Sequence, residues 1–137
     1  RRTALPGLGK IAVFRAKQLV TQFSHSWTDD DGKKWDGAQY AATFFKYGKY
    51  FDWAQVGCPE LASQNYYSYG GGENIYSGEI AFRPKEEIAQ SIVDRFKLST
   101  EHWNSLMSNK YNYDGIGVAF NNNTVYCSIN SSYENYG

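Results

Sequence analysis

A chain of 137 residues with 42% hydrophobic and 20% charged side chains is long enough for one domain around one core, and too apolar to be disordered. Its 14 basic and 14 acidic residues cancel and make no basic run, which sets nucleic acid aside as a partner. No apolar run approaches the roughly 20 residues needed to cross a bilayer, so no transmembrane segment is expected, and no signal peptide is visible.

The opening Arg1-Arg2-Thr3 reads as a trimmed start, with one domain expected over 1–137. Residues 10–23 then predict a helix. Ala12, Ala16, Leu19, Val20 and Phe23 recur as an apolar stripe, with Arg15, Lys17 and Gln22 off it. Residues 28–37 read as turns, because Asp29-Asp30-Asp31-Gly32 and Asp36-Gly37 are loop punctuation. The Asp29 stretch lacks the Glu that a calcium loop places at its twelfth position, where Tyr40 stands, so it reads as a solvated turn. A short helix is expected through Ala38, Ala41, Ala42 and Phe45. Residues 46–72 have no clear period and read as a long aromatic loop.

Residues 84–98 carry the clearest helical pattern. Pro84 suits a helix start, Glu86 and Glu87 suit the positive end of the helix dipole, and Ile88, Ala89, Ile92, Val93 and Phe96 make the stripe. Ser99 or Thr100 then caps a second short helix bearing His102 and Leu106. Residues 115–130 predict a hairpin. Ile116, Val118 and Phe120 alternate with small residues, Val125, Cys127 and Ile129 alternate with polar ones, and Asn121-Asn122-Asn123 forms the turn. A third strand is expected near Asn74-Ile75-Tyr76. Helices beside a small antiparallel sheet make the fold class α+β.

Three segments carry chemistry. Phe23-Ser24-His25-Ser26 closes the first helix, Gly72-Glu73-Asn74-Ile75 follows a glycine run, and Ser99-Thr100-Glu101-His102 precedes Leu106 and Ile116-Gly117-Val118. In order and spacing they resemble the CAP superfamily of cysteine-rich secretory, antigen 5 and pathogenesis-related 1 proteins, in its bacterial SCP-like branch, over residues 10–130. The resemblance implies a three-layer α-β-α sandwich with a small, mainly antiparallel sheet, and a secreted, extracellular protein. It also implies a cavity lined by His25, Glu73 and His102, with Ser99 where many relatives carry a second Glu. Trp103 and Ser105 depart from the bacterial pattern of Arg and Asn.

Two imidazoles and a carboxylate suffice for a Zn²⁺ site with an open position, so His25, His102 and Glu73 are candidate metal ligands and Zn²⁺ the candidate cofactor. The expected function is a non-enzymatic binding module for an extracellular small molecule, lipid, glycan or peptide, with Trp53, Tyr66, Tyr67 and Tyr69 of the aromatic loop as contacts. The alternative is a metal-assisted hydrolase of peptide or cell-wall substrate, with Glu73 as general base. No Ser/His/Asp triad is visible, and no catalytic residue is assigned. Cys58 and Cys127 are either one disulfide, worth about 3–5 kcal/mol, or two buried thiols. Asn122-Asn123-Thr124 and Asn130-Ser131-Ser132 fit the N-glycosylation sequon, which is silent in a bacterial protein.

Overall fold

A computed structural model describes residues 2–28, 32, 34–36 and 71–133. Along the chain run β1 (Thr3–Ala4), α1 (Pro6–Thr21), β2 (Ser26–Thr28), β3 (Lys34–Asp36), β4 (Gly71–Glu79), α2 (Lys85–Lys97), α3 (Thr100–Met107), β5 (Tyr113–Asn121) and β6 (Thr124–Ser132). The helix expected from Ala38, Cys58, and the aromatic loop as far as residue 70 with Trp53, Tyr66, Tyr67 and Tyr69 lie outside the described residues.

Four strands make one sheet in the order β1-β5-β6-β4. β5 and β6 form the expected hairpin, paired from Tyr113↔Ser132 to Asn121↔Thr124, and Asn122 turns it at φ 53°. β4 pairs antiparallel along β6, from Gly71↔Ser132 to Glu79↔Thr124. β1 adds a short parallel pairing to β5. The stretch 28–37 differs from expectation, because β2 and β3 pair as a small separate hairpin at its ends.

Side chains alternate across a strand, so register assigns each residue to a face. Gly115, Gly117, Ser128, Asn130, Glu73 and Ile75 share the face on which α1 lies. A Cβ on Gly115 or Gly117 would come within 2.2 and 2.1 Å of the backbone of Leu8 and Ala12. The glycines are therefore a trough that lets the helix backbone rest directly on β5. Leu8, Ile11, Ala12, Ala16 and Leu19 of α1 are buried there. Ile116, Val118 and Phe120 point away from α1 and are 61%, 40% and 63% exposed. In β5 the small residues of the alternation, not the large ones, meet the helix.

The opposite face meets α2 and α3. Tyr76 of β4 packs edge-to-face on Phe96 of α2, with ring centroids 6.3 Å apart. Asn74 donates to Ser105 Oγ of α3 at 3.1 Å. Helices on both faces of a mixed sheet give three layers in the α+β class. α2 begins one residue after Pro84 and buries Ile88 and Phe96, whereas Val93 is 42% exposed. Between β4 and α2, Ala81 and Phe82 hold positive φ of 52° and 56°. Asn123 fixes that turn by accepting from the Ile80 and Ala81 amides.

Candidate functional site

The centre of the polar chemistry is Glu73, and the residue that decides its character is Arg15. α1 was expected to turn Arg15 toward solvent. Instead its guanidinium is 1% exposed and meets a carboxylate that is fully buried. Arg15 sits four residues after Ile11 and four before Leu19, which puts it on the buried stripe. Glu73 is carried to the same layer by the register of β4.

The pairing is bidentate. Arg15 Nε donates to Glu73 Oε2 and a terminal nitrogen donates to Oε1, both at 2.8 Å. Asn130 Nδ2 of β6 donates to Oε2 at 2.9 Å, and His25 Nδ1 lies 3.1 Å from Oε1. An ionised carboxylate offers about four lone-pair sites, so this one is filled. His25 must supply the proton in its contact, since the carboxylate only accepts.

The rest of the guanidinium is equally engaged. One terminal nitrogen donates to Gln18 Oε1 and the other also to the Ser24 carbonyl, both at 2.9 Å. The Trp27 ring lies 4.3 Å from Arg15 Cζ, within cation–π range. Asn130 Oδ1 accepts from Ser128 Oγ at 2.7 Å. The network ties α1, the 24–27 turn, β4 and β6 at one point.

Burial of Glu73 pushes its pKa up, but the Arg15 and His25 hydrogen bonds, the Arg15 charge and the Asn130 amide outweigh it. The net result lies below the ordinary 4.5. Glu73 is therefore ionised at neutral pH. It holds no proton to give, and its lone pairs are committed.

His25 and Glu73 come together as expected, with the imidazole 48% exposed at the edge of the cluster. His102 does not join them. Its helix lies on the other face of the sheet, where its ring packs on Phe96 at a centroid distance of 5.3 Å. Glu73 and Asn74 are adjacent on β4 and point to opposite faces, and α3 bonds to Asn74. Among the described residues no three His, Cys, Asp or Glu side chains gather closely enough to hold a metal ion. The ligand set of His25, His102 and Glu73 is thus corrected to a His25–Glu73 contact plus a separate His102.

Ser99 caps α3. Its Oγ accepts from the His102 amide at 3.4 Å, which makes it a helix-start residue on the His102 side of the sheet. Cys127 is buried and free, and burial pushes its thiol up to about 11. No bridge forms at Cys127. Asn130 of the second sequon is fully buried, while Asn122 of the first is exposed. The role of Arg15 was readable in principle, from a basic residue in register with an apolar stripe and one acidic residue on a half-buried strand.

A concavity of about 440 Å³ opens at the Glu73 end of the sheet but on its opposite face, between α3, the turn before β5, and β1. No helix among the described residues is long and apolar enough to cross a membrane. Compared with family models, with curated proteins and with solved structures, the chain matches none.

Proposed function

We propose that this chain is a CAP-type, extracellular binding domain that performs no catalysis, and that its Glu73 cluster is a structural clasp. The observation that carries the reading is the occupancy of Glu73. Four donors surround a buried, ionised carboxylate. A general base needs an available lone pair and a pKa near the working pH, and this group has neither. A metal ligand needs the same lone pair. The hydrolase alternative assigns both tasks to this cluster and finds no room for them.

The CAP likeness rests on where its three segments fall. Phe23-Ser24-His25 follows α1, Gly72-Glu73-Asn74-Ile75 lies on β4, and Ser99–His102 opens α3. The three-layer order of helix, sheet and helix accords with it. Export from the cell is part of that likeness.

Zinc titration by calorimetry, with a hydrolysis assay on peptide and cell-wall polymers, tests the proposal. Neither zinc uptake nor turnover is expected, and His25→Ala and His102→Ala are expected to behave like the parent chain. Stoichiometric zinc binding and turnover, lost together in both variants, would refute it.

A further inference from the structure

We infer that the concavity beneath α3 is a binding site for a neutral, polyhydroxylated ring such as a hexopyranose, an inference that rests on the binding-domain reading above. Its volume of about 440 Å³ lies in the lower part of the 300–1,000 Å³ range typical of small-molecule sites. That is room for one or two sugar rings and too little for a long polymer segment.

The charge balance of the walls selects a neutral guest. Arg2 and Asp114 both line the cavity and are paired at 3.0 Å. One terminal nitrogen of Arg2 serves Asp114 and, at 3.2 Å, Ser131 Oγ. The other serves the Ser105 and Ser108 carbonyls at the end of α3. The guanidinium also lies 5.4 Å from the centre of the Tyr111 ring. With four of its five donors committed and a carboxylate in contact, Arg2 has little left for an anion. A cation meets Arg2 beside the single carboxylate. Neither sign is favoured.

Polar capacity nonetheless remains. Asp114 Oδ1 accepts from Arg2 and, at 2.6 Å, from Ser131, and among the described residues Oδ2 receives no bond. The carboxamides of Asn109 and Asn112 also line the cavity and make no side-chain hydrogen bond among the described residues. One accepting oxygen and two groups that both donate and accept match hydroxyls, which also do both. The Tyr111 ring and the aliphatic Leu106 and Met107 offer apolar surface for the C–H face of a ring. A purely apolar guest would strand the carboxamides and the carboxylate oxygen, taking their water away without replacing its hydrogen bonds.

Backbone-amide NMR titration with methyl glucoside, in parallel with glucuronate and glucosamine, tests the site. The neutral glycoside is expected to shift amides within residues 105–114 and to bind about tenfold more tightly than either charged analogue. Asn109→Ala/Asn112→Ala, which leaves the Arg2–Asp114 pair and the backbone bonds of Asn112 intact, is expected to weaken binding about tenfold. That is the loss of one to two neutral hydrogen bonds. No shift with methyl glucoside, equal binding of the charged analogues, or an unaffected double variant overturns the site. Shifts confined to other residues also overturn it but keep the binding-domain reading. Hydrolysis of the glycoside overturns the binding-domain reading itself.

Discussion

Replacing Glu73 with Gln tests the clasp directly, because it removes one charge and almost no volume. Arg15 then keeps a full positive charge at 1% exposure, with neutral acceptors only on Gln18 and Ser24 beside the new amide. Breaking a buried ion pair from one side costs about 3–5 kcal/mol. Against a stability of about 5–15 kcal/mol for a domain, that is about a fifth or more of the total. At about 2–4 °C per kcal/mol for this size, Tm should fall by about 6–20 °C. Arg15→Met should cost a similar amount, since it strands the carboxylate. The double variant Arg15→Met/Glu73→Leu removes both charges and orphans only neutral partners, namely the Asn130 amide, the His25 ring nitrogen, the Gln18 side-chain oxygen and the Ser24 carbonyl. It should cost no more than either single change, leaving a coupling of about 3 kcal/mol. Urea unfolding followed by circular dichroism at fixed slope gives all four corners of the cycle. Additive single costs, or a Glu73→Gln cost below about 1 kcal/mol, would show that the pair is not the buried bidentate contact described.

The depressed pKa of Glu73 also sets an acid limit. A carboxyl whose folded pKa lies below its unfolded value contributes stability that is complete above about 4.5 and is lost as pH falls through the folded value. Urea midpoints should thus decline below pH 4.5, and the decline should be shallower in Arg15→Met/Glu73→Leu. Gly117→Ala places a Cβ 2.1 Å from the Ala12 carbonyl carbon, a backbone atom that cannot swing aside. Overpacking of this kind costs about 1–3 kcal/mol or more, whereas Gly9→Ala, with open space around it, should cost little by the same melting assay. Cys127 is buried with a thiol held at about 11. Native protein at pH 7.5 should react with a thiol reagent at this residue only at the rate of opening, and rapid labelling of the folded state would contradict the packing.

Much of the fold is legible in local pattern. Pro84, the paired glutamates and the Ile88–Phe96 spacing announce α2, and the Asn run at 121–123 separates two alternating strands. What local pattern hides is the partner across space. Arg15 reads as a solvent-facing charge until Glu73, 58 residues away, is brought to the same layer. The large residues of β5 look like its buried side, yet the trough at Gly115 and Gly117 is what the helix needs. Strands β2 and β3, of three residues each, are too short for a period to emerge from the aspartates between them. The site was half legible. His25 and Glu73 were paired correctly by motif, but a motif carries no sheet face, and His102 lies on the other one.

The burial of Asn130 has a practical consequence for making this protein. Its amide nitrogen donates to Glu73 and its oxygen accepts from Ser128, and the residue is fully enclosed. A eukaryotic secretory host attaches sugar to such a sequon while the chain is still emerging, before β6 has docked. A bulky glycan there would hold the strand out of the sheet and leave Arg15 without its complete counterpart. Expression in a host that lacks this modification, or with Ser132→Ala to erase the acceptor sequence, spares the nascent chain that conflict, whereas sugar on exposed Asn122 would sit harmlessly at the hairpin tip.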